Sequence, residues 1–190
     1  PRPLPRAPAG DAPILAFHSH HGLSPNADAW ESHCAAEAAR LGIAFASQRV
    51  TPTHRKPGTD ASARQARYAA RGELCREHGA ALLLTAHHLD DQAETILLQL
   101  ARGAGPPGLS GMDAYNAAPG LLGSAGILLA RPLLGASRAQ LEAYASEHGI
   151  AHIEDESNAD TRYARNALRH TVMPALAAVF PGFQERFARS

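Results

Sequence analysis

Short apolar runs alternate with longer amphipathic segments along most of the chain, and this alternation constrains the fold more than any other feature. Alternation of this kind is typical of a parallel sheet with helices on both faces. We therefore predict an α/β, doubly wound fold that resembles a Rossmann fold. The apolar runs predict strands at 14–17, 43–50, 80–85 and 127–130, and a short extended piece at 150–153. The amphipathic segments predict helices at 28–41, 61–78, 91–101, 137–148 and 163–180, the last broken near Pro174.

Composition excludes several classes of protein. Of the 190 residues, 45% are hydrophobic, which is enough for a real core. No apolar run approaches the roughly 20 residues of a membrane helix, and no secretory signal opens the sequence, so we expect a cytoplasmic protein. Cys34 and Cys75 are the two cysteines of the sequence and have no paired spacing, and their number excludes a site made of four cysteines. Lys56 is the only lysine, so an internal catalytic lysine is not expected.

The segment after the third predicted strand carries the strongest functional signal. In doubly wound sheets, ligands bind beyond the carboxyl ends of the strands. The sequence AHHLDDQAET at 86–95 follows such a strand, and Asp91 and Glu94 share one face of the helix that begins there. Helix capping needs only one carboxylate, whereas three are present here, Asp90, Asp91 and Glu94, beside two histidines. This pattern favours a site that holds magnesium or orients an amine.

Three histidines follow the first predicted strand. His18, His20 and His21 have the chemistry of metal ligands, but adjacent side chains of an extended chain point apart, so at most two converge easily. A metal site, the lining of a nucleotide pocket and a solvated loop all stay open.

Two arginine triplets recur at helical spacing, each predicting one basic helix face. Phosphate contact and a solvated face explain the first triplet equally well, whereas for the second the competing explanation is salt bridges to the acidic turn at 154–160. The triplets are Arg64, Arg67 and Arg71, and Arg162, Arg165 and Arg169.

Taken in order, these motifs resemble those of the tRNA(Ile)-lysidine synthetase family, a branch of the PP-loop ATP pyrophosphatases. The resemblance begins near residue 14 and runs to the end of the chain. It rests on HHGLS at 20–24, RQARY at 64–68, TAHHLDDQAET at 85–95, RG at 102–103 with GL at 108–109, RPLL at 131–134, EDESN at 154–158, and Tyr163 with RN at 165–166 and Arg169.

The resemblance implies an activity that modifies tRNA. ATP, with Mg²⁺ to offset phosphate charge, would adenylate the C2 oxygen of the wobble cytidine in tRNA(Ile) with a CAU anticodon. The ε-amine of free L-lysine would then displace AMP and leave lysidine. A homodimer is one assembly that the resemblance allows.

The resemblance also implies roles for individual residues. Asp91 and Glu94 would hold the lysine amine, and Asp91 is the candidate magnesium ligand. Arg67 would face phosphate or the lysine carboxylate, and His87 would lie beside the reacting phosphate. The remaining implied roles are the lining of the nucleotide pocket, by His18 and His20, and contact with the tRNA backbone, by Arg162, Arg165 and Arg169.

The sequence departs from the family at its start. The family's first strand and Ser-Gly-Gly-x-Asp-Ser loop, which cradles pyrophosphate, are absent, and residues 1–13 stand in their place. In the family fold that strand is central, so we expect an incomplete sheet and no activity from this chain alone. The expected organisation is a flexible lead-in at 1–13, an incomplete nucleotide-binding domain at 14–135 and a helical extension facing tRNA at 136–190.

Rival functions remain open at this point. A PP-loop thiolase of the closest kind would need paired cysteines, which the sequence lacks. A non-catalytic tRNA-binding module would need only the basic faces. A metal-dependent phosphohydrolase would use the histidines and aspartates as ligands: His18, His20, His87, Asp90 and Asp91.

Overall fold

The structure is a computed structural model that describes residues 13–20, 22, 24–49 and 60–189, with side chains from 64 onward in the last range. Most of the predicted lead-in, together with His21 and Lys56, lies outside the described residues. The chain forms two compact units. The first comprises the described residues up to Gly79 together with Gly120–Gly123, and the second comprises Ala80–Pro119 and Ser124–Ser190.

Strands and helices alternate in chain order as predicted. The strands are β1 (Leu15–His20), β2 (Ala44–Arg49), β3 (Leu82–Leu84), β4 (Tyr115–Ala117) and β5 (Leu128–Ala130). The α-helices are α1 (Ala27–Arg40), α2 (Asp60–Glu77), α3 (Leu89–Ala101), α4 (Pro119–Leu122), α5 (Arg138–Glu147), α6 (Ala164–Ala167), α7 (Met173–Val179) and α8 (Phe183–Phe187). Short 3-10 turns span Pro106–Leu109 and Glu156–Ala159, and a π-helical turn spans Leu168–Val172.

In the first unit, β1 and β2 form a parallel pair joined by α1. The register runs from Leu15 opposite Ala44 to His20 opposite Arg49. Gly42 follows α1 with a φ of +68°, a conformation that glycine adopts without steric cost and that ends helices. Since β1 and β2 run parallel, their carboxyl ends lie side by side, which places His20 and Arg49 at the same edge.

In the second unit, the sheet order is β3-β5-β4. β3 and β5 are parallel, and β4 is antiparallel to β5. Leu129 in the middle strand is fully buried, whereas Leu82 and Leu84 on the edge strand β3 are 49% and 58% exposed. The parallel pairs joined through helices confirm the predicted α/β fold.

Several details of local structure differ from the predictions. β4, α4 and α8 were not predicted, and the short extended piece predicted at 150–153 does not join a strand of the described sheets. The helix predicted at 163–180 is divided into α6, the π turn and α7. Pro174 sits in the first turn of α7, where its missing N–H costs no hydrogen bond.

A small core cluster holds the C-terminal helices against α3. It comprises Ala93, Met173 and Phe183, with Leu97 and Leu176 packed around it. Among the described residues, no helix is both long and apolar enough to cross a membrane.

A close approach between α2 and α4 makes Gly72 the position most sensitive to size in the first unit. A Cβ atom at Gly72 would lie 1.9 Å from the carbonyl oxygen of Leu122. Because that contact is with backbone, Gly72→Ala forces the two helices apart. We expect a loss of about 3 kcal/mol in the free energy of unfolding, measured by urea denaturation. Gly120→Ala is the control, since a Cβ there meets nothing within 4 Å; equal stability of the two variants would contradict the packing.

Candidate active site

The first turn of α3 carries the carboxylates that the sequence singled out. His88 is the N-cap, and its Nδ1 accepts the backbone N–H of Asp91 at 3.4 Å. In return, Asp91 Oδ2 accepts the backbone N–H of His88 at 3.1 Å. This reciprocal pair satisfies two of the free N–H groups of a helix start. Asp91 therefore has a capping role, and its other oxygen, Oδ1, faces two arginines.

Glu94 lies one turn further along α3 and is fully buried. Its Oε1 accepts Nε of Arg169 at 2.7 Å, and its Oε2 accepts Nη2 of the same guanidinium at 3.1 Å. Two parallel bonds from one planar guanidinium are the strongest common form of carboxylate recognition. A buried carboxylate would be very costly without such a partner, and Arg169 supplies the compensating charge and hydrogen bonds for Glu94.

Arg165 joins the same carboxylates more loosely. Its Nε lies 3.6 Å from Glu94 Oε2 and its Nη1 lies 4.0 Å from Asp91 Oδ1, while its Nη2 donates to Thr95 Oγ1 at 3.1 Å. Arg169 Nη2 lies 3.5 Å from Asp91 Oδ1. Asp91, Glu94, Arg165 and Arg169 therefore form one group, the α3 ion cluster, in which two negative charges balance two positive charges.

The charges of this cluster act on Arg169. Burial by itself would lower the pKa of the Arg169 guanidinium, but the hydrogen bonds to Glu94 and the negative charges of Glu94, Asp91 and Asp90 raise it above its usual range. Arg169 therefore stays charged at every pH at which the fold is stable.

Hydrogen bonds to the preceding turn fix the segment that carries Arg165 and Arg169. Arg169 lies in the π turn, a geometry often found at functional sites. Asn166 is buried and donates to the carbonyls of Ser157 and Asp160 at 2.8 and 2.9 Å. The ring of His170 contacts the carbonyl of Asn158 at 2.9 Å. The acidic turn is thus tied to the arginine segment through its backbone, a role that the sequence did not reveal for Asn166 and His170.

A pocket of about 240 Å³ opens beside the α3 ion cluster. Asp90, which lines it, accepts the backbone N–H of Arg138 at 2.7 Å and lies 3.4 Å from Gln184 Nε2. The wall combines acidic, basic, amide and apolar groups: Asp90, Glu94, Arg138, Arg169, Gln184, Met173, Pro174 and Ala177.

Two other predicted residues lie apart from this pocket's lining. Arg162 is largely exposed and pairs with Asp160 at 2.7 Å. The hydrogen bond from Arg162 lowers the pKa of the Asp160 carboxyl. This pair is one of the internal salt bridges that the sequence analysis left open as an alternative to phosphate contact. His87 follows β3, and its Nδ1 contacts Thr85 Oγ1 at 2.9 Å.

The arginines of α2 surround a buried tyrosine. The guanidinium carbons of Arg64 and Arg71 lie 5.1 and 5.2 Å from the ring centre of Tyr68, within cation–π range. Burial lowers the pKa of Arg71, and the charges of Arg67 and Arg64 lower it further. Among the described side chains, no carboxylate forms an ion pair with these three arginines. Their excess positive charge favours an anion.

His18 and His20 lie on the same face of β1, with ring centres 6.4 Å apart. Burial lowers the pKa of His18, the nearby charge of Glu31 raises it, and His20 lowers it. The net direction is downward, so His18 is neutral at pH 7. His20 is buried, and its Nε2 lies 2.9 Å from Asp28 Oδ1.

The ligand set that a metal-dependent phosphohydrolase would need is not assembled. Within the described part of the chain, the only group of three candidate ligands within reach of one ion is His20, Asp28 and Glu31. Of the five residues named for that function, only His20 belongs to it, so the structure gives this rival no support.

The pair of parallel hydrogen bonds between Arg169 and Glu94 is tested by replacing the guanidinium with an amine. Arg169→Lys keeps the charge but cannot make two parallel bonds, so Glu94 loses part of its compensation. We expect the free energy of unfolding to fall by about 2 kcal/mol, measured by urea denaturation. Arg162→Lys, at an exposed pair, should leave stability unchanged. If the two variants have the same free energy of unfolding, the paired hydrogen bonds between Arg169 and Glu94 do not stabilise the fold.

The position of His18 predicts a pH dependence. Because its folded-state pKa lies below the ordinary value of 6.5, the unfolded chain binds the proton more tightly. His18 therefore contributes stability that is present above pH 6.5 and is lost as pH falls through the folded-state pKa. An NMR titration in metal-free buffer should place its midpoint below 6.5, and Glu31→Gln should move it further down. Glu37→Gln should not; a midpoint above 6.5 would contradict the burial of the ring.

Comparisons with known proteins agree with this architecture. A family model described as a PP-loop domain matches residues 7–176. A tRNA(Ile)-lysidine synthase from Burkholderia mallei is 54% identical over 183 residues, which is 96% of this chain and 37% of the relative. The relative of the same name from Ralstonia nicotianae is 51% identical over 178 residues, covering 93% of this chain and 37% of its own. This chain thus spans little more than a third of the length of the curated relatives it matches.

A solved structure shares the fold at low sequence identity. The U34-tRNA thiolase NcsA from Methanococcus maripaludis, solved with its [4Fe-4S] cluster, superposes with a TM-score of 0.73 at 13% identity. The match covers 93% of this chain and 60% of the thiolase. At that identity the likeness shows the fold alone. Together with the family model, which matches well over half of the sequence, it leads to one conclusion: the chain belongs to the PP-loop domain family.

Proposed function

We propose that this chain is part of an ATP-dependent ligase that joins free lysine to the wobble cytidine of tRNA(Ile) and forms lysidine. The observation that carries the proposal is the α3 ion cluster beside a small pocket of mixed character. Relatives called tRNA(Ile)-lysidine synthase, 44–54% identical, support the same activity. Because this chain corresponds to about 37% of their length, the activity is proposed for the whole protein of which this domain would form part.

The pocket suits a cationic amino acid. At about 240 Å³ it lies below the range of pockets that hold drug-sized ligands. Guanidinium groups of Arg138 and Arg169 suit an α-carboxylate, and Met173, Pro174 and Ala177 offer an apolar wall for a chain of methylenes. The carboxylates of Asp90 and Glu94 suit an amine.

The α3 ion cluster sets the condition for binding that amine. Its carboxylates already face two guanidinium groups, so an arriving ε-ammonium has to take the place of one. Arg165 is the one that would yield, because its contacts with Asp91 and Glu94 are 4.0 and 3.6 Å, whereas Arg169 holds Glu94 at 2.7 Å. Asp91 and Glu94 would then orient the amine, as the resemblance implies.

The chemical step balances with the groups that this site offers. A carboxylate accepts one proton from the ε-ammonium, which frees the nitrogen lone pair. The nitrogen then bonds to C2 of the adenylated cytidine, and the bond from C2 to the bridging oxygen breaks to release AMP. The second proton that the nitrogen loses passes to the departing phosphate or to solvent. Positioning and charge stabilisation supply most of the catalysis in such a step.

The anions of the reaction are assigned to the arginines. Arg67, with Arg64 and Arg71, lies on a face of α2 without a carboxylate partner among the described side chains, which supports contact with an ATP phosphate. The other role that the resemblance implies for Arg67, contact with the lysine carboxylate, stays a prediction. Exposed Arg162 is suited to the tRNA backbone. Arg165 and Arg169 point to carboxylates in this structure, so a tRNA contact by them stays a prediction. The roles of His18 and His20 in the nucleotide pocket, and of His87 beside the reacting phosphate, also stay predictions.

A magnesium ion held by Asp91 does not fit the residues present. Oδ2 of Asp91 is engaged in the helix cap and Oδ1 lies 3.5 Å from Arg169. Only Oδ1 could be freed, by the departure of a guanidinium, and a single oxygen suits an ammonium better than Mg²⁺, which prefers several oxygen ligands. Magnesium would instead accompany ATP through its phosphates. The domain boundaries at 14–135 and 136–190, a cytoplasmic location and a homodimer also stay predictions.

The proposal is tested in a chimera. In the Burkholderia mallei relative, the matching 183 residues are replaced by those of this chain, and labelled lysine is offered with a transcript of tRNA(Ile) bearing a CAU anticodon. We expect lysine to enter the tRNA only when ATP is present. Glu94→Gln, which keeps the shape of the side chain, should lower the rate at least about a hundredfold because it removes the charge that orients the amine.

Controls separate the function from the fold. Glu147→Gln, at an exposed site on α5, should leave the rate unchanged. Circular dichroism shows whether each chimera is folded. A folded chimera that binds tRNA in a salt-dependent manner but forms no lysidine would overturn the ligase proposal in favour of a tRNA-binding module. Full activity of Glu94→Gln would overturn the role of the α3 ion cluster.

A further inference from the structure

The end of β1 and the start of α1 bring His20, a candidate for the nucleotide pocket, together with two carboxylates that the proposed ligase function does not explain. His20 is the last residue of β1, Asp28 lies in the first turn of α1, and Glu31 follows one turn later. One ligand atom from each lies within 4.8 Å of the others. His20 Nε2 and Asp28 Oδ1 are 2.9 Å apart, and the His20 side chain is 3% exposed.

The geometry is close to that of a bound metal ion. Bonds of about 2.0–2.2 Å place the ligands of a tetrahedral zinc ion about 3.5 Å apart. The pair formed by His20 and Asp28 is already closer than this, and the Glu31 ligand atom lies within 4.8 Å of both. Asp28 and Glu31 are three residues apart on α1 and therefore share a face. The imidazole needs no movement, because its buried ring is fixed by the strand.

The donor set selects among metal ions. Zn²⁺ accepts both imidazole nitrogen and carboxylate oxygen as ligands, and a site with three protein ligands keeps its fourth position open for water. Mg²⁺ prefers oxygen ligands alone and gives up its water reluctantly. The cluster therefore suits Zn²⁺ and disfavours Mg²⁺.

A positive charge from the chain already occupies part of this volume. Arg49, the last residue of β2, places Nη2 at 2.8 Å from Asp28 Oδ1. Hydrogen bonds from His20 and Arg49 lower the pKa of the Asp28 carboxyl. Since the Arg49 side chain is 71% exposed, little of its surface is buried by this contact, and it can leave at small cost. The carboxylates thus attract a cation, and the guanidinium of Arg49 lies beside the position that a metal ion would take.

We propose that His20, Asp28 and Glu31 form a zinc site that ties the end of β1 to the first turns of α1. The ion replaces the proton between His20 and Asp28, draws in Glu31 and displaces Arg49. The site shares only His20 with the nucleotide pocket of the proposed ligase, and its test, which measures zinc binding, does not depend on ligase activity.

Zinc affinity is measured on the 190-residue chain by competition with a chromogenic chelator. We expect one equivalent of Zn²⁺ to bind, and a hundredfold excess of Mg²⁺ not to displace it. Glu31→Gln should weaken binding by at least about tenfold, since even changes to outer partners of a metal site cost 10–100-fold. Arg49→Gln should tighten binding about fivefold, because it removes the cation that competes with the ion for Asp28.

Two exchanges on α1 serve as matched controls. Glu37 and Arg40 form an ion pair on the same helix, outside the cluster. Glu37→Gln and Arg40→Gln should leave zinc affinity unchanged. NMR gives a second readout, in which the ring resonances of His20 shift on addition of one equivalent of Zn²⁺. Absence of stoichiometric binding would overturn the proposal. So would binding that Glu31→Gln does not weaken, because the ion would then sit on other histidines.

Discussion

The buried pair between Glu94 and Arg169 is the interaction on which the second unit depends. Glu94 has no exposed surface, and its charge is compensated through two hydrogen bonds to one guanidinium. The pair joins the first turns of α3 to the π turn, and the apolar contacts of Ala93 and Met173 lie in the adjoining positions of the same two segments. Loss of either charge would leave the other buried and unpaired, which costs far more than the net energy of the pair.

This charge balance also governs what the site can bind. Two carboxylates and two arginines leave no net charge for an incoming cation, so an amine has to compete with Arg165, the more weakly held partner. A site arranged in this way stays stable without its substrate and still offers a carboxylate when one guanidinium moves aside. The same principle holds on a smaller scale at Asp28, where exposed Arg49 lies beside the position of a proposed metal ion.

Much of the fold could be predicted from sequence because hydrophobic periodicity reports burial directly. The strand at 14–17 and the helix at 91–101 were predicted within a few residues of β1 and α3. β4 escaped prediction because its three residues are too few to establish a period and pair with β5 only through tertiary context.

The candidate site was predictable only in part. Asp91 and Glu94 stood out because carboxylates clustered at a helix start exceed what capping needs. The contacts of Arg165 and Arg169 with Asp91 and Glu94 could not be predicted. Helical spacing shows which residues share a face of a helix, but it does not show what that face packs against. The π turn adds to this, since it changes the phase of the helix between the two arginines. The approach of Glu31 to His20 depends on how α1 lies on β1 and leaves no trace in local sequence.

A double-mutant cycle on Glu94 and Arg169 tests the central claim most directly. The free energy of unfolding is measured for the parent chain, Glu94→Gln, Arg169→Gln and the double variant. If the buried pair holds α3 to the C-terminal segment, each single change leaves one uncompensated charge, and the double change costs less than the sum of the two. We predict a coupling energy of at least about 2 kcal/mol. Additive single changes, with a coupling energy near zero, would contradict the account.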